Sequence, residues 1–246
     1  MSPFAVVAVG CVLVIAFAVE TALGFGAALI TVALGSFVVT DLGELLPMIV
    51  PLNLVLSTYL VSRYHQHIDR RFLFTRLLPL MALGMPLGIY VFSAFDSSLL
   101  KRIFGVFVGC VAALELYRMR TSEKPAPVST AAEVTLLVLG GVVHGAFSTG
   151  GPMAVYVTGR VLHDKSVYRA TLSSLWLVLG TILLGSYVWE GRVTTTSVGS
   201  TAMVSPGIVV GMVLGEYLFR KVPVQAFRQV VFIALLLSGI ALAARG

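Results

Sequence analysis

The chain has 246 residues, of which 58% are hydrophobic and only 11% charged, with a mean hydropathy of +0.98; a water-soluble domain needs more polar surface than that. The formal net charge is +6, but the basic residues cluster in short loops, the pattern of cytoplasmic connections and not of a nucleic-acid surface. Apolar windows at 3–19, 45–62, 72–95, 99–117, 134–159, 170–189, 197–219 and 226–244 predict an all-α polytopic membrane protein, because most are long enough for a crossing of about 20 residues. Runs such as FAVVAVGCVLVIAFAV lack the strict alternation of a transmembrane β-barrel.

The chain opens on MSPFAVVAVG, with no Lys or Arg ahead of its apolar run, so the charged start of a signal peptide is missing and the first segment is expected to stay in the protein. Cys11 and Cys110 lie inside apolar windows, where a thiol acts as a small hydrophobe; they give neither a disulfide framework nor metal spacing. In CVLVIAFAVETALGFGAALITVALG, Glu20 stands in the middle and Gly24, Phe25 and Gly26 follow, which predicts a helix interrupted inside the membrane. An intramembrane carboxylate is expensive and points to function. Glu20 is read either as a titrating group that couples substrate to protons or as a protonated group bonding a neighbouring helix. Asn53, in PLNLVLST, sits among apolar residues and needs a buried partner, either substrate or backbone. The loop RYHQHIDRR is basic and the preceding connection TDLGE acidic, so the first is placed in the cytoplasm and the second outside.

Residues 84–92 read GMPLGIYVF and residues 211–219 read GMVLGEYLF, 127 positions apart. With small gaps, GFGAALITV pairs with TGGPMAVYV and PLNLVLST with SLWLVLGT. The chain therefore reads as two transmembrane repeats, residues 1–118 and 132–246, joined by a cytoplasmic linker at 119–131 that carries Pro, Ser and charge together. Each repeat has a broken or re-entrant helix pair followed by three full transmembrane helices. In the second repeat Arg160, Lys165 and Arg169 mark the connection ahead of the full helices as cytoplasmic, so the repeats are predicted to have inverted topology. Arg118, Arg120 and Lys124 put the linker inside, Arg220 and Lys221 fall inside, and both termini come out outside; Lys101 and Arg102 depart from the scheme and are read as snorkelling. The glycine pairs Gly84/Gly88 and Gly211/Gly215 are expected packing faces. Two inverted repeats enclose a site near the bilayer midplane and expose it to each side in turn.

The second break lies in LLVLGGVVHGAFSTGGPMAVYVTG, with His144, Ser148, Thr149, Gly150, Gly151 and Pro152. Proline is favoured in the first helical turn, so a new helix is expected near Gly151. A half-helix starting near Gly26 or Gly151 presents unpaired N–H groups and the positive end of its dipole at mid-membrane, which attracts an anion. Glycine lets backbone approach the ligand, and Ser148 and Thr149 add uncharged hydroxyl donors. The competing reading is a pair of kinks that relieve packing. His144 occupies nearly the same place in its repeat as Glu20 and is read as a packed or a titrating histidine. Trp176 falls opposite Asn53 and either lines the pathway or packs. Glu216 is expected to pair with Arg220 and Glu115 with Arg118, as helix-end ion pairs.

The segments LGFGAALITV, FSTGGPMAVYV and YRATLSSLWLV resemble the sulfite exporter TauE/SafE family of membrane permeases, over essentially the whole chain. The first break, GFGAA, departs from the longer glycine run usual in the family. The resemblance implies transport of a small sulfur-containing anion, such as sulfite or an organosulfonate, across the bacterial inner membrane. The residues alone say only that an anion site is present. No cofactor, metal or ATP-binding motif is called for; the expected partners are that anion and the lipid bilayer, no nucleic acid, and a homodimer stays open. Two other classes were weighed: a non-transporting membrane assembly subunit, and an intramembrane hydrolase built on His144 and Ser148 with glycine backbone as oxyanion hole.

Overall fold

The computed structural model describes residues 3–121, 128–221 and 224–245, all helix and connections with no strand among the described residues. In the first half α1 (Pro3–Leu23) and α2 (Ala27–Gly35) form the broken pair. Then come α3 (Leu42–Tyr64), a continuous stretch of α4 (Arg70–Phe72), a π turn (Leu73–Leu77) and α5 (Leu78–Ala94), and α6 (Ser97–Thr121). In the second half α7 (Thr130–Phe147) and α8 (Gly151–Val161) form the pair, followed by α9 (Lys165–Trp189), α10 (Thr195–Val204) with α11 (Pro206–Lys221), and α12 (Val224–Arg245). The α10–α11 pair is bent by 43°, at Pro206, which cannot supply a ladder N–H. Among the described residues, five helical stretches are long and apolar enough to cross a membrane, six if the bent pair counts as one, so the chain is a multi-pass membrane protein. Of the expected linker at 119–131, residues 122–127 lie outside the described residues, Lys124 among them.

Short polar side chains start the long helices. Asp41 accepts from Gly43 N at 2.8 Å ahead of α3, Asp164 accepts from Ser166 N and Val167 N at 2.9 Å ahead of α9, and Thr194 and Ser197 form a reciprocal capping box on α10. Each satisfies backbone donors that have no intrahelical acceptor.

The two copies of the nonapeptide do one job. A β-carbon on Gly84 or Gly88 of α5 would overlap the carbonyl oxygens of Val138 and Val142 on α7, and one on Gly141 or Gly145 of α7 would overlap those of Met81 and Met85. In the other copy, Gly211 and Gly215 of α11 press on Phe17, Ala18 and Thr21 of α1. Each copy thus seats its own half on the first helix of the other half, backbone against backbone. Partners advance together along both pairs (Gly84 with Val138, Gly88 with Val142; Gly207 with Gly10, Gly215 with Ala18), so α5 runs parallel to α7 and α11 parallel to α1. Gly105 meets Ala243 and Gly239 meets Gly109, so α6 and α12 run antiparallel.

Charge separates the two ends of the bundle. Arg76 pairs with Glu133 in the first turn of α7, Arg118 and Arg160 flank the Tyr156 ring, and Lys165 donates to Phe219 O, all at one end. Asp41, Ser97, Ser93 and Glu190 meet at the other. At the acidic end α1 begins beside α10, reaching the start of α11 only at Gly10, and α2 finishes with Gly35 against Leu45, near the start of α3. The α1–α2 pair therefore enters and leaves by one end. The α7–α8 pair does the same from the basic end, between Glu133 and Arg160. Both broken pairs are helical hairpins whose tips meet inside the bundle, and the first helix of each, α1 and α7, is itself long and apolar enough to cross a membrane.

Candidate functional site

At the first tip, Gly24 (φ 83) and Gly26 (φ 115) take left-handed conformations that glycine adopts without a side-chain clash. Gly24 N donates to Glu20 O at 2.7 Å, ending α1. The next helix starts at Ala27, whose N–H donates to Glu20 Oε2 at 2.7 Å. The carboxylate, 4% exposed, thereby caps a helix start seven residues away, where negative charge is favoured.

At the second tip, Ser148 holds φ 56, a left-handed conformation that costs a non-glycine residue about 1–3 kcal/mol. Its N–H donates to His144 O at 2.7 Å. The new helix begins at Gly151 with Pro152 in its first turn, as expected. Gly150 N donates to His144 Nδ1 at 3.5 Å. In a neutral ring with Nδ1 accepting, the proton sits on Nε2, which is buried and has no hydrogen-bond partner. Glu20 and His144 thus play matching parts, each accepting from backbone at the start of the helix beyond its break.

Between the tips lies a cavity of about 20 Å³, lined by Glu20, Phe25, Gly26, Asn53, His144, Ser148, Thr149, Gly151 and Trp176 among others. That volume holds about one water-sized occupant, so a larger anion needs the tips to part. Trp176 closes the arrangement: its Nε1 donates to Gly24 O at 2.9 Å and its ring stacks on His144, with centroids 5.6 Å apart. Asn53 Oδ1 is buried without a partner.

The expected residues come together with three differences of role. Gly24, Gly150 and Pro152 frame the cavity through backbone bonds and the helix start and do not line its wall. Three lining residues went unnoticed in the sequence: Ala28, Val50 and Gly180. Helical spacing points to two of them, since Val50 lies one turn before Asn53 and Gly180 one turn after Trp176. Glu115 pairs with Arg118 at 3.0 Å, as read. Glu216 does not follow its reading: its carboxylate takes Arg169 Nη1 at 3.3 Å and the Tyr64 hydroxyl at 3.0 and 3.1 Å. Arg169, taken as a marker of a cytoplasmic loop, is a fully buried residue, 1% exposed. The reason is tertiary: α1 and α11 close over that turn of α9, so Glu216 meets a buried guanidinium across helices.

The sequence profile described as "Sulfite exporter TauE/SafE" matches residues 8–242. The chain is also similar to "Probable inner membrane transporter protein TsaS" of Comamonas testosteroni, 26% identical over 167 residues, which is 68% of this chain and 69% of that protein. No solved structure matches. With two broken helix pairs meeting in a multi-pass bundle and a family match spanning nearly every described helix, the chain belongs to the sulfite exporter TauE/SafE family of membrane transporters.

Proposed function

We propose that the chain moves a small sulfur-containing oxyanion, sulfite or an organosulfonate, across the bacterial cytoplasmic membrane by alternating access. The observation that carries this reading is the convergence of two helix starts, at Ala27 and Gly151, on a cavity that also holds Thr149, Ser148 and the unpartnered His144 Nε2. Backbone donors, hydroxyls and a positive dipole end suit an anion without a full opposing charge. Sulfur as the central atom rests on family membership, and the cytoplasmic membrane on the related transporter's description.

Glu20 supplies a coupling step. Its carboxylate occupies the donor at Ala27 N that an anion would seek, so the two compete by charge and by hydrogen bond. A proton on Glu20 removes the competition, and anion and proton then travel together. The halves 1–118 and 132–246 act as inverted copies that rock about this site, with 119–131 joining them on the inner side. Supporting this are the exchange of packing partners between halves and the parallel runs of α1 with α11 and of α5 with α7. The basic end is assigned to the cytoplasm by its Arg and Lys excess, which leaves both chain ends outside.

The test is uptake of labelled sulfite, sulfoacetate and chloride into proteoliposomes, with and without an imposed pH gradient, for the parent and Glu20→Gln. Sulfur-anion uptake that follows the gradient in the parent and ignores it in Glu20→Gln is the expected result. Absence of flux for every anion overturns the transport reading of this site, and gradient-independent flux in the parent removes Glu20 from coupling.

A further inference from the structure

Arg169 is the largest buried charge that the central site does not use. It is 1% exposed, on the face of α9 that carries Ser173, Trp176 and Gly180. Trp176 lies seven residues, about 10 Å, farther along the helix, and lines the central cavity. Arg169 also lies directly behind the first tip: a β-carbon on Gly24 would come within 3.1 Å of its Cα. On the far side, Glu216, Arg63 and Arg220 line the basic end of an open groove of about 520 Å³ between α3 and α11, whose other wall residues include the exposed Val209, Val213 and Tyr217. The guanidinium is thus tied to that groove through Glu216 and backs onto the first tip through Gly24.

Its bonding is half complete. Nη1 donates to Thr21 O at 2.9 Å and to Glu216 Oε1 at 3.3 Å. Nε and Nη2, the side edge of the guanidinium, have no partner although both are buried. Two parallel N–H groups on one edge match two oxygens of an oxyanion, the bidentate fork by which Arg recognises such groups. Leaving such donors empty in a buried place is costly. The faces of the group are covered by Tyr64 at 4.1 Å and Phe219 at 3.7 Å, so a ligand reaches only the edge.

The opposite end repeats the aromatic parts around an arginine that is not buried. Tyr187 follows Trp176 by the same eleven positions as Tyr64 follows Asn53, and Phe92 holds the place in its nonapeptide that Phe219 holds in the other. There Phe92 contacts Tyr187 and lies under Arg192, which pairs with Glu190, but the Arg192 side chain is 26% exposed. The acidic end is thus closed by a wet ion pair and the basic end by a dry one with spare donors.

We propose that Arg169 is a second oxyanion-binding station, between the central cavity and the basic end of the α3–α11 groove, which holds the anion through the Nε/Nη2 edge as it passes. Glu216 competes there by charge, holding Arg169 to α11 until the anion takes over as counter-ion; α9 is then free to part from α11 and α1. The ligand class is an anion with at least two oxygens on one centre, such as a sulfonate, and not a halide. The inference rests on the anion-transport reading.

The test uses Arg169→Lys, which keeps the charge and loses the fork, and Glu216→Gln, which keeps the shape and removes the competitor. Sulfoacetate uptake in proteoliposomes is read beside labelling of Met212→Cys, on the groove wall one turn before Glu216, by an impermeant thiol reagent in a Cys11→Ser, Cys110→Ser background. The expected results are a tenfold or greater rise in half-saturation for Arg169→Lys and a several-fold fall for Glu216→Gln. Sulfoacetate, but not chloride, is expected to protect Met212→Cys, and Arg169→Lys to abolish that protection. Unchanged half-saturation and unchanged protection in Arg169→Lys overturn the station. Protection without any parent flux would leave the station standing and remove the transport reading, so the two failures are distinguishable.

Discussion

Replacing Gly88 by alanine probes the interface on which both hairpin tips depend. The added carbon would fall 2.8 Å from Ala146 N and closer still to Val142 O, both backbone atoms of α7. Unstrained contacts lie near 3.5–4.0 Å, so clearing Val142 O parts α5 and α7 by about 1.5 Å, and no side-chain rotation relieves the clash. Overpacking of this kind costs about 1–3 kcal/mol. Gly185→Ala is the matched control, because a β-carbon there meets nothing within 4 Å; alanine in an open helical position gains about 0.5–1 kcal/mol over glycine. Reversible unfolding in mixed micelles, followed by tryptophan fluorescence, should therefore show Gly88→Ala less stable than the parent and Gly185→Ala equal or better. Since α7 ends at the second tip, Gly88→Ala should also weaken anion binding. Equal stability of Gly88→Ala and the parent would refute the backbone contact between the halves.

Gly215→Ala, whose β-carbon would lie 2.6 Å from Ala18 O, is expected to match Gly88→Ala in the same unfolding measurement, because the two positions serve the same contact in exchanged halves. Trp176→Phe keeps a ring to stack on His144 but strands the buried Gly24 carbonyl, now bonded at 2.9 Å; a loss of about 1–3 kcal/mol and a higher half-saturation for anion uptake are expected. Ser148→Gly removes the left-handed strain at φ 56 together with a hydroxyl on the cavity wall. Thermal stability should rise by up to about 1 kcal/mol while equilibrium anion affinity falls, a split that a purely structural role for Ser148 does not produce.

Much of this arrangement is legible in the sequence because its signals are local. A carboxylate seven residues before a helix start, a Gly-Gly-Pro run and a duplicated nonapeptide need no tertiary knowledge to be noticed. The pairing that the nonapeptides make does need it: Gly84 finds Val138 and Gly215 finds Ala18 across halves, and self-similarity alone names neither partner. Re-entrant hairpins and full crossings leave the loops on the same sides, so charge counting could not separate them. Arg169 was hidden for a related reason. It stands four residues after Lys165 and was read as part of a basic connection, whereas its burial is set by Thr21, Tyr64, Glu216 and Phe219 from three other helices. For Glu216, the nearer basic residue in sequence was not the nearer one in space.

The most direct measurement of the central claim is equilibrium binding of radiolabelled sulfoacetate and sulfite to the purified protein, comparing the parent, Thr149→Val and the open-position control Gly185→Ala. Thr149 is 5% exposed on the cavity wall, and a hydroxyl bonded to a charged ligand contributes about 1.5–3 kcal/mol, roughly a 10- to 150-fold change in Kd. A loss of that size is expected in Thr149→Val, which is nearly isosteric and should unfold like the parent, and no change in Gly185→Ala. Parent-like affinity in a folded Thr149→Val would contradict the account, since the anion would then bind elsewhere than between the two hairpin tips.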